Sequence, residues 1–323
     1  MKSSVCGRSA ITLAALVFGC LSSVTLGAQA PAGQGQAPAP AAAPAQDFSQ
    51  VQIKTTKISN NFYTLEGQGG MIGVLTGPDG VFMVDAQFAP LTDKIVAAIK
   101  QVSDGRIRFL VNTHVHGDHT GGNENLGKLG ATILSRENLR VRLVKPNPGA
   151  NGAPGVSAPA AALPVVTYDA PLTLHLNGED VRLIPVPAAH TDGDTMVYFP
   201  TSNVIMIGDF YRSTGYPNID RANGGSLKGM VDGLNAAIAL AGPATKIIPG
   251  HGATVDKTAV AAHRDMIVAL RDKVAPLVRQ NKTLDEVVAA KLTAEWDAKV
   301  TGATPATADR FVGQLYAELK DAK

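Results

Sequence analysis

The chain is almost without cysteine. Of 323 residues only Cys6 and Cys20 are Cys, and both stand in a stretch that reads as a removable leader. If that leader is cleaved, disulfides, a thiolate metal ligand and a cysteine nucleophile are all excluded from the mature protein. Charge is also sparse. Charged residues make up 17%, the net charge is +2, and no run of Lys and Arg forms a basic patch, so neither DNA nor RNA is an expected partner. No G-x-S-x-G, no P-loop and no G-x-G-x-x-G following a strand is present. A serine elbow, a phosphate loop and a dinucleotide fingerprint are therefore missing. Hydrophobic residues, in contrast, make up 45%, enough for a substantial core.

Lys2 and Arg8 flank the start of the apolar run ITLAALVFGCLSSVTLGA, and Ala28-Gln29-Ala30 offers an A-x-A cleavage site. Residues 1–30 are expected to be a signal peptide, which sends the protein to the periplasm or out of the cell and leaves no spanning segment behind. A second reading takes Val17-Phe18-Gly19-Cys20 as a lipobox with Cys20 lipidated, but the apolar run continues past Cys20. Residues 31–46 are rich in Ala, Pro, Gly and Gln, a composition that cannot pack a core and predicts a flexible linker. The folded domain is expected over 47–323.

Within it, strand-like and helix-like patterns alternate. VQIKTTKISNNFYTLEG alternates apolar and polar residues as half-buried strands do, and GGMIGVLTGPDGVFMVDA reads as a hairpin about Gly77-Pro78-Asp79-Gly80. TDKIVAAIKQV predicts a helix with Thr92 as its N-cap. RIRFLVNT, ATILS, PLTLHL, EDVRLIPVP, NVIMIG and TKIIP read as strands, SLKGMVDGLNAAIALAG as a helix, and the chain after Asp256 as further helices. Residues 147–164, rich in Gly, Pro and Ala, read as a lid or insert. The order implies an α/β domain whose sheets are covered by helices.

Against this background THVHGDHTGG, residues 113–122, stands out: three of the seven histidines fall within six positions, with an aspartate among them. Side chains alternate along an extended segment, so His114 and His116 point one way. Gly117 permits a turn that brings Asp118 and His119 back beside them. Imidazole and carboxylate donors gathered like this suit zinc. His190, Asp209 and His251 each stand just past an apolar strand, where loops collect at a sheet edge. His175 and His263 are expected on polar faces, away from any metal.

The motif THVHGDHTGG resembles the H-x-H-x-D-H signature of the metallo-β-lactamase superfamily, with His190, Asp209 and His251 in the order of its remaining ligands. The resemblance implies the four-layer αβ/βα sandwich. It also implies one metal on His114, His116 and His190, a second on Asp118, His119 and His251, and Asp209 bridging. The expected cofactor is two Zn²⁺, with iron or manganese left open. Asp85, after the strand VFMVD, matches a residue that orients a ligand imidazole. Two such ions lower the pKa of a shared water and polarise the scissile group, with Asp118 holding the nucleophile in line.

An Asp at position 209, where a group of true β-lactamases carries Cys, is similar to glyoxalase II and the acyl-homoserine lactonases. The expected reaction is hydrolysis of a small carbonyl substrate: a lactone, ester, thioester or amide. Arg212, Asn223 and Tyr211 are candidates for holding the substrate, Arg212 and Asn223 being the features that keep β-lactam hydrolysis as an alternative. Tyr216 is a further candidate oxyanion donor. A non-catalytic metal-binding accessory protein is a third reading.

Overall fold

The computed structural model describes residues 46–148 and 154–321. The expected signal peptide, nearly all of the expected linker and residues 149–153 of the insert lie outside the described residues. Residues 47–323 cluster as one unit.

Seven strands form the first sheet, in chain order: β1 (Lys54–Lys57), β2 (Phe62–Glu66), β3 (Ile72–Leu75), β4 (Val81–Val84), β5 (Ile107–Val111), β6 (Thr132–Arg136) and β7 (Val166–Tyr168). The first four pair antiparallel and the rest parallel. Helices α1 (Thr92–Lys100), α2 (Gly117–Thr120), α3 (Asn123–Lys128) and α4 (Glu137–Val144) connect the parallel part. The second sheet holds β8 (Leu172–Leu176), β9 (Glu179–Pro185), β10 (Thr195–Phe199), β11 (Val204–Met206) and β12 (Lys246–Ile248), in the order β12-β11-β10-β9-β8. Helix α5 (Leu227–Leu240) precedes β12, and α6 (Lys257–Arg279), α7 (Leu284–Ala289), α8 (Ala294–Asp297) and α9 (Pro305–Asp321) follow it.

Period-two alternation divides the central strands between two cores. Along β4, Val81 and Met83 join one buried cluster and Phe82 and Val84 another. Val81 and Met83 pack with Ile95, Ile99 and Leu126 of α1 and α3, which cover the outside of the first sheet. Phe82 and Val84 meet Val197, Val204 and Met206 of the second sheet. Ile205 and Ile247 turn the other way, onto Met230, Leu234, Ile267, Leu270 and Phe311 of α5, α6 and α9. Three cores between four layers make the αβ/βα sandwich, and each large side chain deleted from them should cost about 3 kcal/mol.

One local expectation is overturned. Thr92 is the first residue of α1, not its cap: its hydroxyl donates to Ala89 O and closes the turn before the helix. Strand β10, TMVYF, central to the second sheet, and helix α4 were not among the expected elements. Among the described residues no helix is long and apolar enough to cross a membrane.

Candidate metal centre

The seven candidate ligands arrive from both sheets at one edge. His114, His116, Asp118 and His119 follow β5 through a short extended segment and the single turn of α2. His190 lies in the β9–β10 loop, Asp209 in a 3-10 turn just after β11, and His251 three residues after β12. Loops carried on a rigid scaffold are the usual seat of function.

Three groups of potential donors each have their atoms within 4.8 Å of one another: His114, His116 and His190; His114, His119 and Asp209; and Asp118, His119 and His251. His190 Nε2 lies 2.9 Å from His116 Nδ1. Asp209 reaches both sides, with Oδ1 3.2 Å from His119 Nε2, and Oδ2 3.3 Å from His251 Nε2 and 3.9 Å from His190 Nε2. His251 Nε2 is 3.0 Å from Asp118 Oδ2.

Behind the ring, each of four imidazoles gives its other nitrogen to an oxygen. His190 Nδ1 lies 2.7 Å from Asn218 O, which can only accept. His119 Nδ1 lies 2.7 Å from Asp85 Oδ2, and His116 Nε2 lies 2.7 Å from Asp220 Oδ2. The Thr113 hydroxyl donates to Asp85 Oδ2 and so faces His114 Nδ1, 3.1 Å away, with a lone pair. These partners occupy the outward nitrogens, so His114, His119 and His190 turn Nε2, and His116 Nδ1, into the ring. Burial works to lower His119, but the Asp85 and Asp209 carboxylates hold it well above the ordinary imidazole range, so a metal taking its Nε2 would displace a proton. His114 Nε2 and Asp209 Oδ1 are buried without a hydrogen-bond partner. Such orphaned acceptors are costly, and a divalent cation coordinated by N and O donors would satisfy them. The residues present therefore fit the metals that the sequence implies.

Burial holds His114 well below the ordinary imidazole range, and the His119 charge adds to it. Burial likewise pushes His190 down to about 4, keeping it a neutral donor. Burial works to raise the Asp209 carboxyl, but His119, His251 and His114 together outweigh it and hold Asp209 well below the usual carboxylate range.

Close packing needs glycine at two places. A Cβ on Gly250 would run into the Asp209 carboxylate, and one on Gly70 into the His119 ring. Asp85 itself sits at φ 62°, a left-handed conformation rare outside glycine and a form of strain that gathers at functional sites.

The substrate candidates are placed differently from the ligands. Asn223 is near His116, but its amide is committed: Nδ2 donates to Asp220 Oδ2, while Oδ1 accepts from Arg142 and Asn147. Arg212 and Tyr211 line a separate cavity that none of the seven ligands lines. Tyr216 is fully buried, its hydroxyl 2.7 Å from Asp297 Oδ1, so it is no oxyanion donor. His175 is exposed and paired with Asp180. His263 is not on a polar face, since its Nε2 is shielded from solvent.

Two carboxylates had no signal in the motif. Asp220 supports His116 from 104 residues away. Asp194 accepts from the backbone N–H groups of His190 and Thr191 and from the Thr191 hydroxyl, clamping the turn that presents His190. An acid four residues after a candidate ligand was the only hint of it.

Residues 66–252 match the family model described as the metallo-beta-lactamase superfamily. The chain belongs to that superfamily. A hydroxyacylglutathione hydrolase from Nitrosococcus oceani is 28% identical over 168 residues, covering 50% of this chain and 55% of that protein. The chain thus spans about half the length of the curated relative it matches. Among solved structures, the stereoselective inverting sec-alkylsulfatase Pisa1 from Pseudomonas sp. aligns with TM-score 0.64 and 17% identity, over 84% of this chain and 51% of its own. The DIM-1 metallo-beta-lactamase aligns with TM-score 0.55 and 18% identity, over 68% and 98%. At such identities these two share the fold. The named relatives are hydrolases.

Proposed function

We propose that this chain is an exported di-zinc hydrolase of small carbonyl substrates, a lactone, ester, thioester or amide. His114, His116 and His190 hold one metal, Asp118, His119 and His251 the other, and Asp209 bridges. The observation that carries the reading is the set of inward-facing imidazole nitrogens and the orphaned Asp209 Oδ1, gathered into adjacent donor groups that share His114 and His119. Metal bound there supplies an acidified water and a Lewis acid for the scissile oxygen.

The side chains set the direction of approach. His116 and Asp118 are the more open members of the ring, at 28% and 26% exposure, whereas Asp209 is at 5%. Substrate therefore comes over His116 and Asp118. Asp118, held by His251, is positioned to orient the attacking water and take its proton. Beside His116 lies a cavity of about 340 Å³ walled by Leu143, Pro146 and Val156, with Asn147 and Asp220 as polar groups. It suits a compact acyl group. The leader-like N-terminus supports export to the periplasm or beyond.

β-Lactam hydrolysis finds less support, since Arg212 lines another cavity and the Asn223 amide is already used. The test is metal analysis of the purified protein together with a substrate panel: thioester, lactone, aryl ester, alkyl sulfate and chromogenic cephalosporin, with and without chelator. Two equivalents of zinc and chelator-sensitive cleavage of a carbonyl substrate are expected. Cephalosporin turnover alone would move the protein to the β-lactamases, and sulfate cleavage alone to the sulfatases. Two bound metals with no turnover would make it an accessory protein.

A further inference from the structure

His263 stands on the second turn of α6, with its Nε2 shielded from solvent and unpartnered, and the Tyr211 ring 4.7 Å away edge-on. It lines a cavity of about 360 Å³ between the 211–215 loop, α6 and the segment 296–301. Met266, Trp296 and Val300 form its apolar wall, and Arg212 and Lys299 are its cations. No lining residue is acidic. Among the described residues neither the Arg212 nor the Lys299 side chain takes part in an ion pair or hydrogen bond, and Arg212 Nε is shielded without a partner. Arg310 lies close enough that the Arg212 charge adds to burial in lowering its pKa.

An unpaired, partly desolvated guanidinium is costly. Its planar fork matches a carboxylate with two parallel hydrogen bonds. A chamber of this volume falls in the range of small-molecule sites. We propose that this cavity is a second ligand site, separate from the metal centre, that takes a small organic carboxylate with an aromatic or branched apolar body. The carboxylate pairs with Arg212, exposed Lys299 adds charge at the mouth, and the body packs on Trp296, Met266 and Val300.

Trp296 is the only tryptophan in the chain, so its emission reports on this cavity. The full chain would be titrated with benzoate, phenylacetate and 3-methylbutanoate, each beside its neutral amide. At least one carboxylate should give a saturable change with Kd of about 1 mM or tighter. The amides should bind roughly tenfold more weakly or not at all, because the charge-assisted bonds are lost. Arg212→Gln should weaken binding about tenfold and Lys299→Gln by less. Lys299 is exposed, so its variant tests the charge requirement even if Arg212→Gln impairs folding, which a thermal melt would reveal. The response should persist in chelator-treated protein. The proposal is overturned if no carboxylate gives a saturable change, if amides respond equally, if neither variant weakens binding, or if chelator abolishes the response. The last outcome would put the carboxylate on the metal ring.

Discussion

The metal edge and the His263 cavity both bury imidazole, yet they treat it in opposite ways. At the metal edge His114, His116, His119 and His190 each lean on an oxygen behind them, and their free nitrogens converge. In the cavity His263 Nε2 and Arg212 Nε have no such backing, and no acid faces them. The first arrangement occupies one nitrogen and turns the other into the ring. The second leaves an imidazole without a partner at Nε2 and a guanidinium with no acid beside it. A histidine's role is thus decided by what stands behind its ring.

The comparison is broken most severely at Asp209. Asp209→Ala should remove the carboxylate proposed to bridge the two metals and cut turnover by about a thousandfold, the several kcal/mol a Lewis acid supplies. Steady-state kinetics with metal analysis would check it, and near-normal turnover would remove Asp209 from the bridge. Gly250→Ala should push that carboxylate aside, lowering stability by about 1–3 kcal/mol together with metal content, as read by denaturant unfolding and metal analysis. Asp85→Asn and Asp220→Asn should weaken metal by roughly 10–100-fold through loss of the support behind a ligand. The loss should be larger for Asp85, which is 1% exposed against 19% for Asp220. Competition with a chromophoric chelator would rank them.

The smallest effect belongs to His263. Burial holds it at about 4, below its ordinary value of 6.5. As pH falls through 6.5 the unfolded chain takes the proton first, so stability drops between about 6.5 and 4 and levels off below. Replacing the ring by Leu should flatten that slope by about 1 kcal/mol per pH unit at most, measured by urea unfolding at roughly pH 7 and pH 5.

How legible each part was depended on sequence distance. Strand β4 could be read because VFMV is apolar throughout and bounded by Gly80 and Asp85. The ring histidines could be read because six consecutive positions hold four of the ligands. Asp220 could not, because its tie to His116 exists only after the two sheets pack. His263, expected on a polar face, is followed by the charged Arg264 and Asp265. Its spacing to Val260, Met266, Ile267 and Leu270, all buried, already puts it on the apolar face of α6. Side-chain register along the helix was the better guide than local polarity.

The ring also divides unequally between the layers. The first sheet brings His114, His116, Asp118 and His119, and the second brings His190, Asp209 and His251. Every proposed metal draws on both. Neither half of the sandwich, synthesised alone, would hold a complete coordination set. Metal capture by the proposed ligand sets would thereby be a checkpoint on assembly: an ion would be kept only by a chain whose two halves had already docked in register.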